Sequence, residues 1–231
     1  MEGKGNKILM KRIIACIMVL LLSTSVRAQN YEQPMASDYD HSIYTLERLN
    51  IIPSDYDTTG NATRIECLSM LVAISEGTGI DTYAKTKDYV SYADDVAKKY
   101  SDADMLSDSE KLIVWLADIK NFLQGIPVDN ELYVHPDKEL TWREAIRFTL
   151  RLTCPEYEYY NPKEESLISG ALYRKYIYFD DIAGLDSVVT DYELCHLINK
   201  ALHEPVITHT YSGEVTRYFI DYYTFNRQET F

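Results

Sequence analysis

Three Thr-x-x-Glu tetrads constrain this chain more than any other feature. They are Thr63-Arg64-Ile65-Glu66, Thr141-Trp142-Arg143-Glu144 and Thr190-Asp191-Tyr192-Glu193. A threonine at a helix N-cap accepts from the amide three residues on, and a glutamate at that third place reaches back to the cap amide. Each tetrad therefore marks a helix start. Leu140 with Ala145, and Val189 with Leu194, sit where a hydrophobic staple closes the first turn. Apolar or small residues recur in the same frame after each threonine: Cys67, Leu68, Met70, Ile74; Ala145, Ile146, Phe148, Leu152; Leu194, Cys195, Leu197, Ala201. That spacing is a helical stripe facing a core, and it occurs three times.

An amphipathic stretch precedes each capped helix. The first carries Ile43, Tyr44, Leu46 and Leu49, and the third carries Leu167, Ile168, Ala171 and Leu172, running into Ile177. The second carries Leu112, Ile113, Trp115, Leu116, Ile119 and Leu123, and is expected to end at Gly125-Ile126, where glycine suits a helix C-terminus. Thr63 and Thr141 lie further apart than Thr141 and Thr190, so the second unit holds an insertion. The polar segment near Asp81 to Asp102 is placed there as a helix of its own. Units of this kind cannot bury their apolar faces alone and must pack on one another. A tail rich in β-branched residues and tyrosine, Pro205 to Tyr211 and Val215 to Phe225 around Ser212-Gly213, is expected to form a hairpin.

The N-terminus reads as an export signal. Lys4, Lys7, Lys11 and Arg12 precede an apolar run, Ile13 to Leu22, and Val26-Arg27-Ala28 predicts cleavage before Gln29. That run is short for a retained span, so no membrane span is expected after cleavage. Residues 1–28 hold five basic residues and one acid; the remainder has 18 basic against 35 acidic residues, a formal charge of −17. Such a balance excludes nucleic acid as a partner, because Lys and Arg supply most of that affinity. Cys67, Cys154 and Cys195 are an odd set for an exported chain and do not read as a disulfide framework. Cys67 and Cys195 fall on apolar helix positions and read as small buried hydrophobes.

Two other constellations bear on metal. Asp55, Asp57, Thr59, Gly60 and Glu66 have the spacing of a calcium-binding EF-hand loop. Thr59 departs from its usual acid or amide, Ala62 from its usual branched residue, and Pro53 breaks the incoming helix; a polar turn followed by a capping box explains the same residues. Glu193 and His196 form a Glu-x-x-His pair without the second motif that a di-metal bundle needs, and His196 reads as a partly buried helix histidine. Nucleophile-elbow, zinc-protease and phosphate-loop motifs are missing from the sequence, so no catalytic residue, metal or cofactor is assigned. Asn61-Ala62-Thr63 is a formal glycosylation sequon, with Thr63 already used as a cap.

The repeat resembles the S-layer homology domain. The residues that carry the likeness are Thr63-Arg64-Ile65-Glu66 in the first unit. In the second they are Gly125-Ile126, Tyr133-Val134-His135-Pro136 and Leu140 to Glu144; the third unit keeps Val189-Thr190 and Glu193. The resemblance implies an all-α fold class: three helix–loop–helix repeats packed as a pseudo-threefold bundle, with the hairpin appended. The organisation expected is a signal peptide at 1–28, a leader at 29–37, repeats at 38–79, 80–154 and 155–206, and a tail at 207–231.

The resemblance further implies a secreted, non-catalytic module at the cell surface or wall, holding a wall polysaccharide non-covalently, with other envelope proteins as further partners. In that family the motif's arginine meets a sugar carboxylate, so Arg64 is a carbohydrate-binding candidate, and guanidinium offers a planar fork for a carboxylate. Trp142 takes the arginine's place in the second unit, either to stack on a sugar ring or to be buried. Arg143, a further carbohydrate-binding candidate with Trp142, follows one residue later, turned about 100° around the helix. Asp191 takes that place in the third unit and repels an anionic sugar. An alternative is therefore a structural or protein-interaction scaffold with this fold that has lost glycan binding.

Overall fold

The computed structural model describes residues 34–76, 89–153, 164–210 and 213–218. Residues 1–33, where an export signal is expected, Cys154 and the end of the tail lie outside the described residues. Helices dominate: α1 (Ala36–Arg48), α2 (Arg64–Glu76), α3 (Tyr89–Lys99), α4 (Asp108–Ile119), α5 (Trp142–Thr153), α6 (Glu164–Tyr173) and α7 (Asp191–Leu202). The class is helix-rich rather than purely helical, because two antiparallel hairpins accompany them: β1 (Ile126–Val128) with β2 (Glu131–Tyr133), and β3 (Pro205–Thr210) with β4 (Gly213–Tyr218). The second lies where a tail hairpin is expected. The first replaces an expected loop. Asp129 and Asn130 both adopt left-handed φ, 49° and 70°, which a two-residue hairpin turn of this hand requires.

The three tetrads start α2, α5 and α7 as anticipated. The cap amides of Thr63, Thr141 and Thr190 donate to Glu66, Glu144 and Glu193 at 2.7, 3.4 and 2.9 Å. All twelve residues of the three stripes are buried. A fourth box, Ser107 with Glu110, starts α4 in the same way (2.7 Å from the Ser107 amide to the carboxylate). Helix α3 occupies part of the insertion, and behind it Asp102 is buried. Its carboxylate accepts from the amides of Val134 (2.9 Å) and His135 (2.7 Å), which holds the chain entering the second capped helix.

The helices before the capped ones end alike, and not at a glycine. After α1, Asn50 turns left-handed and Ile51 donates back to the Leu46 carbonyl (2.9 Å). After α4, Asn121 and Phe122 repeat this onto Ala117 (2.8 Å); after α6, Lys175 and Tyr176 repeat it onto Ala171 (2.8 Å). Each is a Schellman stop, in which the left-handed residue lets two amides satisfy the last carbonyls. So α4 ends at Ile119, short of the Gly125-Ile126 terminus read from the sequence. Gly125 serves a different need: a Cβ there meets Tyr100 Cε1 at 2.9 Å.

The residues just before the three caps are bound to one another in a closed cycle. Ala62 donates to Val189 (2.9 Å), Val189 to Leu140 (2.9 Å) and Leu140 to Ala62 (2.8 Å). A second cycle surrounds it: Arg64 donates to Lys138, Trp142 to Ser187 and Asp191 to Gly60, each at 3.1 Å. Ala62, Leu140 and Val189 are fully buried, so the three inner bonds are made where water cannot replace them. Around this knot α2 packs on α4 and α5, α1 packs on α7, and one continuous apolar cluster fills the interior.

Candidate functional site

The residue after each capping threonine is where the sequence placed function, and in all three cases it points inward. The Arg64 side chain is 2% exposed. Its Nε donates to the Val134 carbonyl (2.8 Å), its Nη1 is paired with Glu144 Oε1, and its guanidinium lies 5.3 Å from the Phe148 ring centre. Lys138 Nζ reaches the same carboxylate oxygen at 3.1 Å. Burial alone would push the Glu144 carboxyl up, but Arg64 and Lys138 outweigh it and hold it below its ordinary value. The pull on Oε1 goes with a looser second box, at 3.4 Å.

Trp142 is 6% exposed and meets Phe179 edge-on, ring centres 5.9 Å apart. Of the two roles open to it, this geometry is the buried one. Asp191 is 4% exposed and accepts from the Tyr56 hydroxyl at 2.9 Å. Burial raises the Asp191 carboxyl above the usual carboxylate range despite that bond. Gly60 is needed beside it, since a Cβ would lie 2.9 Å from Asp191 Oδ2. The three side chains therefore use ion pairing, aromatic packing and a tyrosine-to-carboxyl hydrogen bond for one task. Arg64 reaches the stretch leading into α5, Trp142 the stretch leading into α7, and Asp191 the stretch leading into α2.

Arg143 is turned elsewhere, as its position on the helix implied. Its Nε donates to Asp186 Oδ1 at 2.9 Å. Sequence reasoning missed Phe179, Tyr56 and Val134 as partners, because each lies far along the chain and has no local motif. Arg64, Trp142 and Arg143 are thus not gathered on one open face.

The remaining candidates are tied down as well. Glu66 Oε2 accepts from Thr63, and Asp57 accepts from the Thr59 amide (2.9 Å) and hydroxyl (2.7 Å), which are the turn and box that compete with the calcium-loop reading. Among the described residues, no three His, Cys, Asp or Glu side chains converge in a way that would hold a metal ion. Asn61 Nδ2 donates to Glu139 at 2.8 Å. Cys67 and Cys195 are unpaired and buried, and burial pushes the Cys195 thiol up to about 12. Among the described residues no helix is long and apolar enough to cross a membrane.

His196 fastens α7 to α1. Its Nδ1 lies 3.0 Å from Ser42 Oγ and its Nε2 2.8 Å from the Tyr178 hydroxyl. The Ser42 hydroxyl donates to the Asp38 carbonyl and accepts from Asn199, so the consistent tautomer carries the proton on Nδ1. Burial first, then Lys200, lowers the imidazole's pKa, with Asp38 opposing; Tyr39 and Tyr178 are the other titratable groups against the ring. A histidine held neutral contributes stability that is full above its ordinary value of 6.5 and is lost as pH falls through its lower folded value. Urea unfolding between about pH 7.5 and 5 is expected to show this decline, and His196→Gln to flatten it.

No protein-family model, no curated protein and no solved structure matches this chain. The reading of its function rests on its own residues and on the likeness they carry.

Proposed function

We propose that this chain is an exported, non-catalytic module of the cell envelope, built from three S-layer-homology-like units about a pseudo-threefold axis, and that it works as a structural or protein-interaction scaffold. The observation that carries the proposal is the shared fate of Arg64, Trp142 and Asp191. Each occupies the motif's ligand position, and each is buried against the stretch leading to another capped helix. A residue engaged in that way adds cohesion between units, and a sugar carboxylate takes the place at Arg64 Nη1 only by displacing Glu144. The two closed cycles of backbone hydrogen bonds support the threefold arrangement.

A second reading keeps wall-polysaccharide binding at Arg64. It is favoured by one observation: Arg64 Nη2 is buried and makes no hydrogen bond, while Arg64 and Lys138 together place two cations on one carboxylate. That corner holds a spare donor and a spare positive charge for an anionic group.

Sedimentation with isolated wall polysaccharide separates the two. The scaffold reading expects the purified chain to stay in the supernatant. Saturable binding that disappears in Lys138→Ala would sink it in favour of the glycan, since Lys138 is 45% exposed and its loss leaves the Arg64–Glu144 pair in place.

A further inference from the structure

A cleft of about 190 Å³ opens between the turn at residues 51–56, the first turns of α2 and the side of α4. Ile52, Pro53, Ile65, Met70 and Ile113 form its apolar walls, and the ring of Tyr56, whose hydroxyl is given to Asp191, forms another. The charged groups lining it are Glu66 and Glu110. Both sit at the third position of a capping box, so the same oxygen of each, Oε2, is held by its cap amide at 2.7 Å. The Oε1 atoms take no hydrogen bond or ion pair among the described residues, and no lysine or arginine lines the cleft.

A cleft whose lining holds apolar walls, two carboxylates and no lysine or arginine matches an aliphatic stem that ends in a primary ammonium. The methylenes gain by leaving water, and the ammonium brings donors to the carboxylates. Anionic ligands are repelled here, which sets this cleft apart from the Arg64 corner. We propose that the cleft receives a lysine side chain presented by an interacting protein. Lysine supplies such a group as a compact point charge on a four-carbon stem. The chain's formal charge of −13 also steers a basic segment toward it. Whether wall glycan binds at Arg64 has no bearing on this cleft.

The test is an NMR titration of the full chain with capped Gly-Lys-Gly, with its norleucine counterpart and with a free alkyl diamine. The lysine peptide is expected to shift the amides of Ile52, Ile65 and Met70 and to bind at least about tenfold more tightly than norleucine. The double variant Glu66→Gln/Glu110→Gln is expected to lose about tenfold in affinity, while its circular dichroism stays native because glutamine serves a capping box as well as glutamate does. Equal binding of lysine and norleucine, no shift at those amides, or an unchanged double variant would overturn the proposal. Tighter binding of the free diamine than of the peptide would overturn the protein partner.

Discussion

Arg64→Met is expected to lower folding stability by about 3 kcal/mol, the low end for breaking a buried ion pair. The substitution keeps much of the side chain's volume over Phe148, so the loss is electrostatic rather than a cavity. Two groups are left behind: the Val134 carbonyl loses its donor, and Glu144 keeps the more exposed Lys138 as its one cationic partner among the described residues. Glu144 is 17% exposed and retains some water, which is why the upper end of the range is not reached. In urea the midpoint is expected to fall by more than about 1 M. The companion variant decides whether the pair itself is responsible. Adding Glu144→Gln to Arg64→Met removes the stranded charge but keeps the box, so the double variant is expected to recover about 1 kcal/mol or more. Simple additivity of the two single costs would refute the coupling. Acid dependence gives a further check. Because the Glu144 carboxyl is held below its ordinary value of 4.5, its contribution is present above that value and is lost as pH falls through the lower folded value. Arg64→Met is expected to weaken that slope.

Leu140→Pro is expected to be more damaging, at about 4 kcal/mol or more, within reach of the whole stability of an ordinary domain. Proline removes the amide that donates to Ala62 and leaves that buried carbonyl unsatisfied. It also exchanges a fully buried leucine for a smaller ring. Glu139, the residue before it, already lies in an extended bridge with Thr63, so the backbone restriction that proline imposes on its neighbour adds little. Since the cycle joins all three capped helices, loss of one bond is expected to loosen all of them rather than one unit. Hydrogen exchange provides the matching test in the unaltered chain: the amides of Ala62, Leu140 and Val189 are expected to exchange only through global unfolding, with one common free energy. Three separate exchange energies would show that the units open independently.

Helix starts were legible because a capping box is complete within four residues and depends on nothing distant. Thr63, Thr141 and Thr190 could be identified as caps from composition and spacing alone, and the same logic reaches Ser107-x-x-Glu110, whose signal was in the sequence and went unused. Helix ends were less legible. Asn50, Asn121 and Lys175 are all left-handed stops, yet lysine carries no local preference for that conformation, and Gly125 offered a false one. The hairpin at Asp129-Asn130 was hidden behind a loop expectation, although both residues tolerate positive φ better than most.

What the sequence determined by itself was the framework of three capped helices with matching apolar stripes, because propensity, capping and periodicity are properties of short segments. What only the tertiary structure decided was the use of the residue after each threonine. Arginine, tryptophan and aspartate share no chemistry that a local rule could join. Their partners, Glu144, Phe179 and Tyr56, are brought near only when the backbone cycles through Ala62, Leu140 and Val189 close. Burial then turns a position that reads as a ligand contact into a fastening between the capped helices and the segments that lead into them, since a polar side chain cut off from water must find its partner inside the protein.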